Sequence, residues 1–340
     1  MHRRRHPGRL SLSEDSLRLS VCSAALALAT HLVLAQSVTK LTELAKYAGA
    51  EQVRAAVRAG GGLQERNSQG HTPLIVAAEN NPDPEVVKVL IASGASVNED
   101  NGAGYTPLIA AAAKNKNPDV LAALLAAGAG VNLADAEGYT PLMAASGEKN
   151  VRTIIALLAA GADIKAVTKR GWTALTYAVW SPPLTTRAMS DAAADVVKLL
   201  LKAGARVNND PAAGPTTLSM AVTKTANPEV IRLVIAAGAS VAGSGDSVPL
   251  IDAARSNGNP AVTKVLLDSG AQVNARDSSG MTALMWAASS NTARVVSLLL
   301  DAGADKSLTD SRGNTAYDLA AANTLLRSKT ERERLRVARK

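Results

Sequence analysis

Gly70-His71-Thr72-Pro73-Leu74 is a stretch that returns, with small changes, seven more times along the 340-residue chain. Its third position, used below as the marker of each unit, falls at Thr72, Thr106, Thr140, Thr173, Thr216, Val248, Thr282 and Thr315. Successive markers lie 34, 34, 33, 43, 32, 34 and 33 residues apart. A second phrase, Gly-Ala-x-Val/Ile-Asn with variations, begins in phase with the first at Gly94, Gly128, Gly161, Gly204, Gly238, Gly270 and Gly303. Two phrases that share one period predict a stacked array of repeats, an architecture that usually binds rather than catalyses.

Each unit between two markers has the pattern of a helix pair. Thr72 can cap the first helix through its hydroxyl, and Pro73 suits the first helical position, where its missing N–H costs nothing. The alanines at 77–78 let neighbouring helices approach closely, and residues 85–91 carry a wide aliphatic stripe that must be buried. Gly94 can end the second helix, because glycine adopts the left-handed conformation easily. One unit has too little apolar surface to fold alone, so stacking must supply the core.

These residues resemble the ankyrin repeat, in which a Thr-Pro-Leu turn, an alanine-rich helix, an aliphatic helix and a Gly-Ala-x-Val-Asn phrase follow one another. The resemblance covers roughly Val38 to Ala322. It implies a mainly α fold: an ankyrin-repeat α-solenoid of about nine stacked helix pairs, counting both caps, with β-hairpin or finger loops. The chain departs from the family in lacking the usual His after Thr-Pro-Leu. An Asn-Pro step, which we expect to end the first helix and start the second, stands at Asn81-Pro82, Asn117-Pro118, Asn227-Pro228 and Asn259-Pro260.

The repeat phase divides the chain into three parts. Residues 1–36 form a leader, whose signal-like core is 17–35. The array occupies residues 37–322, with an N-terminal cap over 37–69 and repeats that start near 72, 106, 140, 173, 216, 248 and 282. A terminal unit starts at 315, and residues 323–340 form a basic C-terminal capping helix or tail.

The leader has the features of an export signal. Val21 to Ala35 is a 15-residue apolar run, too short for a comfortable membrane span, with Arg18 before it and small residues at its end. We therefore expect a bacterial protein that is cleaved near Ala35 and is periplasmic or secreted. A start near Leu17 would make the signal more ordinary, and a retained leader or a cytoplasmic protein is the alternative. Cleavage would remove Cys22, the only cysteine, so no disulfide could form.

The net charge of +8 is concentrated at the two ends of the chain. Residues 1–36 carry +3 and residues 323–340 carry +5, which leaves 25 basic and 25 acidic side chains in the repeat body. A nucleic-acid-binding array would need a basic face on that body, so the composition argues against nucleic acid as a partner. We expect the tail to be the solvated face of a capping repeat; contact with an acidic protein or an anionic lipid is the alternative. The tail residues expected to close the core are Leu325, Leu326, Leu335 and Val337.

The sequence offers no enzyme chemistry. Three of the four histidines lie in the leader, so only His71 remains and no catalytic triad or multi-histidine metal site can be built. We therefore expect no catalytic residue, metal, cofactor or small-molecule substrate. The carboxylates of Asp135, Asp277 and Asp310 fall on one repeated position, where the ankyrin resemblance implies that they cap the finger turn.

Aromatic residues mark the candidate partner-binding site. The residue before the marker lies on the finger, where we expect it to hold no core and to vary freely. This position carries His71, Tyr105, Tyr139, Trp172 and Met281, and three of the eight Trp/Tyr residues in a chain without Phe are found here. Rings at this position are either interface anchors or packing over a neighbouring turn, and both can hold. The other candidate residues are Tyr177, Trp180 and Trp286.

The Thr173 unit is irregular, because ten extra residues stand between its helices near 181–191. This apolar, proline-stiffened insertion, flanked by Tyr177 and Trp180, is either a contact loop or tolerated surface drift.

Taken with the resemblance, these features favour a monomeric, non-catalytic protein–protein interaction scaffold. The family resemblance implies a concave face, lined by the fingers and first helices, that binds an unidentified protein. A secreted effector that engages a host protein and an inhibitor of an envelope enzyme are the alternatives. Membrane contact would be confined to the leader or the basic tail.

Overall fold

The computed structural model describes residues 40–180, 187–208, 216–243, 247–326 and 329–336. The predicted leader, its cleavage point near Ala35 and the tail residue Val337 lie outside the described residues.

Helix pairs follow one another through all the described ranges. The first helices of the pairs are α1 (Leu41–Tyr47), α3 (Pro73–Asn80), α5 (Pro107–Lys114), α7 (Pro141–Gly147), α9 (Ala174–Val179), α11 (Thr217–Lys224), α13 (Pro249–Ser256), α15 (Ala283–Ser290) and α17 (Ala316–Leu319), which a short 3-10 turn (Ala320–Ala322) extends. The second helices are α2 (Ala50–Arg58), α4 (Pro84–Ala92), α6 (Pro118–Ala126), α8 (Val151–Ala159), α10 (Arg187–Lys202), α12 (Pro228–Ala236), α14 (Pro260–Asp268), α16 (Ala293–Asp301) and α18 (Lys329–Arg334).

The repeated phrases place the helix ends where the sequence predicts them. Thr72 caps α3 by accepting a hydrogen bond from the Ile75 N–H at 3.3 Å, and Pro73 is the first residue of that helix. Val248 has no hydroxyl, and α13 accordingly begins without a side-chain cap. After α4, Gly94 takes the left-handed conformation with φ of 103°, and the next N–H bonds back to the Leu90 carbonyl at 3.0 Å.

The core is one continuous layer of aliphatic side chains between the two rows of helices. Each first helix packs on the first helix of the next unit, and from α2 to α16 the second helices pack on one another in the same way. In the Thr72 unit, Leu74, Ile75, Val86 and Leu90 are fully buried. The described residues contain no strands, and their fingers hold two isolated antiparallel bridges, Arg276 with Thr282 and Thr309 with Thr315. The mainly α repeat fold is confirmed, with fingers built almost entirely of turns.

A buried asparagine ties most units to the unit before them. It stands nine residues after the marker, or eight in the last unit, at Asn81, Asn115, Asn257, Asn291 and Asn323. The side-chain amide of Asn115 donates to the Ala78 carbonyl at 2.9 Å and to the Asn81 carbonyl at 2.8 Å, both in the preceding unit. Its amide oxygen accepts the Asn117 N–H at 2.9 Å. One carboxamide therefore satisfies three backbone groups that would otherwise be buried without partners.

These bonds correct the prediction for the Asn-Pro steps. Asn81 is the buried tie and Pro82 follows it in the loop, whereas α4 begins at Pro84 with Asp83 as its cap. Asn117, at the step that does begin a helix, caps α6 by accepting the Asp119 N–H at 3.0 Å, and Asn227 and Asn259 do the same for α12 and α14. The Asn81-Pro82 step is thus not equivalent to the other three, because identical dipeptides stand two residues out of phase.

Lys149 occupies the position of the tying asparagine in the Thr140 unit. Its side chain bonds to the following unit, whereas each asparagine bonds to the preceding one. It takes the left-handed conformation with φ of 58°. Its ammonium donates to the Gly147 carbonyl at 2.9 Å and reaches forward to the carbonyls of Tyr177 at 3.1 Å and Trp180 at 2.9 Å in the following unit. Burial lowers the pKa of Lys149 to about 8. A half-buried lysine therefore replaces the carboxamide at this junction.

The insertion in the Thr173 unit is only partly a loop. The α10 helix has 16 residues, compared with 9 in α8 and α12, because it begins early, at Arg187. Residues 187–191, which the sequence placed in an insertion between the helices, are helical, so that placement is wrong for them. Residues 181–186 lie outside the described ranges. Alanine and leucine dominate the sequence of α10, which suits it to extend a helix.

The C-terminal cap is closed by two of the predicted leucines. Leu326 and Leu335 are buried, but Leu325 is 53% exposed, so the prediction that Leu325 closes the core is wrong. Arg334 joins the cap to α16 through hydrogen bonds to Ser297 Oγ and to Asp301 Oδ1, each 2.7 Å long. The C-terminal residues thus cover the core of the last helix pair with Leu326 and Leu335 and add a surface ion pair through Arg334.

None of the helices in the described ranges combines the length and the apolar character needed to span a bilayer.

The tying asparagine predicts a specific loss of stability. Asn115→Ala leaves two buried carbonyls and one N–H without partners, so we expect it to lower the free energy of unfolding by about 2–3 kcal/mol. Asn80→Ala is the matched control, because Asn80 is exposed and donates to the Val76 carbonyl of its own helix. It should change stability by about 0.5 kcal/mol or less. Urea unfolding followed by circular dichroism measures both, and equal losses would contradict the role of the buried tie.

Lys149 predicts a pH-dependent contribution. Its pKa is about 8 in the folded protein against an ordinary value of 10.5, so between these pH values the unfolded chain holds a proton that the folded chain has released. Stability contributed by Lys149 therefore rises from pH 8 toward 10.5 and is lost as the pH falls through 8. The difference in free energy of unfolding between the native protein and Lys149→Met should shift in favour of the native protein from pH 7.5 to 9.5. A shift in the opposite direction would show that the charged form is the favoured one.

Candidate protein-binding site

The finger turns are capped by one repeated carboxylate or amide. Asp135 Oδ1 accepts the N–H groups of Glu137 at 2.9 Å and Tyr139 at 2.8 Å, which holds the turn before the marker. Asp277 and Asp310 make the same pair of bonds, as the family resemblance implied. Asn67 and Asn101 do so with an amide oxygen, so the cap needs an acceptor but no charge.

The residue before the marker is not free of the core. His71 is 8% exposed and Met281 is 9% exposed. Tyr105, Tyr139 and Trp172 are half-buried and pack against the core cluster. The expectation that the residue before the marker does not pack in the core is therefore wrong. Each finger lies against the first helices, so the side chain at this position is partly or fully buried there.

The first two units place His71 and Tyr105 in contact. The two rings stack with centroids 5.4 Å apart and planes 19° from parallel. Beneath them lies the buried carboxylate of Glu79, which pairs with Lys114 and lies 3.5 Å from His71 Nδ1 without a hydrogen bond to it. Burial lowers the pKa of His71 despite this neighbouring carboxylate, so His71 is neutral at neutral pH. The cluster is closely packed and leaves little ring surface for a partner.

The next two units place Tyr139, Trp172 and Tyr177 in one group. Tyr177 stands between the other rings, with its centroid 5.0 Å from Tyr139 and 5.4 Å from Trp172, and both contacts are edge-to-face. These rings line an open cleft of about 300 Å³. The remaining lining residues are Asp135, Glu137, Thr168 and Arg170. Here the half-buried rings leave a concave space between two neighbouring fingers.

The rings of this cleft are neutral and its rim is charged. Burial raises the pKa of Tyr139 and of Tyr177, so both phenols keep their protons. Glu137 is exposed and lies 3.7 Å from exposed Lys169, a separation at which solvent screens much of the attraction. The cleft therefore combines neutral aromatic faces with carboxylates on one finger and a guanidinium on the next.

Lys149 and Trp180 adjoin this group. The ammonium of Lys149 holds the backbone carbonyl of Tyr177, the central ring of the cleft, and the carbonyl of Trp180. Trp180 is 39% exposed at the end of α9, where the irregular insertion begins. The half-buried Lys149 thus fixes the backbone from which both aromatic side chains project.

A third group lies in the later units. The Trp286 indole N–H donates to Asp277 Oδ2 at 2.8 Å, and the Arg255 guanidinium lies over the Trp286 ring at 5.4 Å. Arg255 also pairs with the buried Asp252 at 2.9 Å, and burial raises the pKa of Asp252. This indole already has a cation on its ring and an acceptor for its N–H.

The eight predicted site residues therefore fall into three groups rather than one strip. Sequence reasoning missed the residues between the rings, which are Glu79, Lys114, Lys149, Asp252 and Arg255, and the charged cleft residues Glu137 and Arg170. A signal for three of them, Glu79, Asp252 and Arg255, was available, because the fourth and seventh positions after each marker lie on the same helix face as the finger residue. Tyr177, Asp252 and Trp286 share the fourth position, and Glu79, Trp180 and Arg255 share the seventh. In the described part of the chain, no three His, Cys, Asp or Glu side chains converge as a metal site would require.

Comparisons with known proteins agree with this architecture. A profile described as ankyrin repeats in three copies matches residues 41–135, 109–209, 184–277 and 250–329. Among solved structures, the chain is similar to the human ASB11 ankyrin repeat domain, with 28% identity and a TM-score of 0.57 over 68% of this chain and 96% of that one. No curated protein sequence gives a significant match. Because the profile windows together run from residue 41 to 329, over the same helix pairs that the structure stacks, the chain belongs to the ankyrin-repeat family.

Proposed function

We propose that this protein is a non-catalytic scaffold that binds a partner protein at the cleft of Tyr139, Trp172 and Tyr177. Ankyrin repeats are generally protein–protein interaction modules. The observation that carries the proposal is the open concave space that these three rings line between two fingers. Exposed aromatic surface beside charged groups is the composition of an interface anchor site.

The other two aromatic groups support this choice by contrast. His71 and Tyr105 stack on each other beside the buried carboxylate of Glu79, and the Trp286 ring is covered by Arg255. Their contacts are made within the chain. Exposed apolar side chains also lie on the two fingers that border the cleft, namely Leu133 at 42% and Val167 at 56% exposure. These two side chains add exposed apolar surface to the fingers that carry the charged rim of the cleft.

Two tryptophan substitutions test the site. We expect Trp172→Ala to weaken binding of a partner captured from the native envelope fraction by about tenfold or more, as loss of an anchor does. Trp286→Ala is the matched control, because both indoles are half-buried on the first-helix side and both losses should lower the melting temperature. Isothermal titration calorimetry on the purified partner, with melting curves for both variants, separates binding from stability. Equal affinity losses in the two variants would show that the cleft is not the centre of the interface.

We also propose that the protein is exported by cleavage near Ala35, as the short apolar run from Val21 suggests. The proposal predicts a mature chain that starts near Gln36 in the periplasmic or secreted fraction. Mass spectrometry of the protein from its native cell measures the N-terminus. An intact chain recovered from the cytosol would contradict export while leaving the binding proposal in place.

A further inference from the structure

We propose that the cleft binds an arginine side chain of the partner, with the guanidinium against the rings of Tyr139, Trp172 and Tyr177 and an N–H directed at Asp135. The inference rests on the proposed function, since it names the chemistry that the same cleft recognises. It follows from a comparison of equivalent carboxylates within this one array.

The second carboxylate oxygen of Asp135 has no hydrogen-bond donor among the residues that the structure describes. At each of the three finger aspartates, Oδ1 accepts the backbone N–H groups of the turn. Oδ2 is then available for a donor from elsewhere. Asp277 Oδ2 accepts the Trp286 indole N–H at 2.8 Å, and Asp310 Oδ2 accepts the Asn314 side-chain amide at 3.1 Å. Asp135 Oδ2 accepts no hydrogen bond from any described residue, although Asp135 lines the cleft. The position that receives an N–H donor in the other two units is therefore open in this one.

Residues at two positions of the Thr140 unit account for the open oxygen. Asn314, the donor to Asp310, stands immediately before its marker, where the Thr140 unit has Tyr139, a side chain without an N–H. Trp286, the donor to Asp277, stands four residues after its marker, and the same position of the Thr140 unit is Ala144. Alanine cannot reach Asp135. The space is left instead beside the rings of Tyr139 and Tyr177, and a donor from outside the chain can occupy it.

The later units show a guanidinium bound on the same side of the first helices. Arg255 lies over the Trp286 ring at 5.4 Å and pairs with Asp252 at 2.9 Å, so an aromatic face and a carboxylate hold one guanidinium together. Within the described ranges, the cations that lie over aromatic rings are Arg255 and Lys46, and neither lies in the cleft. The cleft also has aromatic rings and a carboxylate, here that of Asp135 on the finger, and no cation of the described residues lies over its rings.

Arginine fits these groups better than other side chains do. Its planar guanidinium stacks on an aromatic face and still donates N–H groups in its own plane, whereas a lysine ammonium is a hydrated point charge. The N–H to carboxylate bond at Asp135 would be charge-assisted and sheltered by the rings. Arg170 at the rim opposes an incoming cation, but it is exposed, so its repulsion is screened. Removing the Arg170 charge should therefore strengthen the binding of an arginine side chain.

The three tryptophans provide the measurement. In the 15N–1H spectrum of the full chain, each indole N–H gives one signal, assigned by Trp→Phe substitution at 172, 180 and 286. The probe is N-acetyl-arginine methylamide, with the citrulline analogue as the neutral control of nearly the same shape. We expect the arginine probe to shift the Trp172 signal in a saturable manner, with little effect on Trp286, and the citrulline probe to bind at least about tenfold more weakly.

Two variants identify the groups involved. Asp135→Asn keeps the turn, because Asn67 and Asn101 cap equivalent turns, and it should weaken the arginine probe by about tenfold. Arg170→Glu should strengthen binding by a few-fold, because a repelling charge becomes an attracting one.

The outcomes separate this inference from the proposed function. An arginine probe that leaves Trp172 unshifted, or binds no better than citrulline, overturns the arginine inference. So does an N-acetyl-glutamate methylamide probe that shifts Trp172 and loses its effect in Arg170→Glu, since the cleft would then recognise an acidic side chain. In both cases a Trp172-dependent affinity for the captured partner would leave the scaffold proposal standing. Loss of that dependence alone would overturn the scaffold site.

Discussion

A helix pair of this chain cannot bury its own apolar side chains, so every unit depends on the unit beside it. The helices supply apolar area, but the connection between them carries backbone polar groups into the same interface. A carboxamide placed nine residues after the marker satisfies these groups in both neighbours, as Asn115 and Asn291 do. One repeated asparagine thus joins neighbouring units and supplies hydrogen bonds to the backbone groups buried between them. Units that contain this asparagine can be added to the array one after another.

The candidate site lies where that repeated contact is replaced. In the Thr140 unit a lysine takes the place of asparagine, and its longer side chain reaches forward to the carbonyls of Tyr177 and Trp180. The next unit has no asparagine at the ninth position; its sequence there is Pro182, at the start of the irregular insertion. The hydrogen bonds from Lys149 to the Tyr177 and Trp180 carbonyls join the Thr140 and Thr173 units without that asparagine. The connection between α9 and α10 could then diverge, and α10 begins early, while the aromatic cleft kept a fixed backbone.

The periodic part of this structure was predictable, and the departures from it were not. Thr72, Pro73 and Gly94 have local roles that their chemistry decides, so caps and helix ends followed from spacing alone. The Asn-Pro steps were misread because one dipeptide occurs at two registers, nine and eleven residues after the marker. The structure shows that the first register ties two units together and the second caps a helix. Leu325 is exposed while Leu326 is buried, because the terminal turn directs only one of these adjacent leucines to the core, and the sequence does not say which one. Ring contacts such as Tyr139 with Tyr177 join different positions of different units, so no single repeated column reveals them.

Packing and recognition are not competing roles for the finger rings. A ring that folds down on the first helices loses side-chain freedom in the free protein, so less entropy remains to be lost on binding. Where a neighbouring ring or cation covers the outer face of a ring, the contact stabilises the fold and leaves that face closed to a partner. Tyr105 covers His71 in this way, and Arg255 covers Trp286. Where the adjacent position is the small Ala144, the half-buried rings keep an open face and an unused carboxylate oxygen. Whether a finger ring keeps an open face therefore depends on the residues at neighbouring positions, so equivalent residues in one array can differ in role.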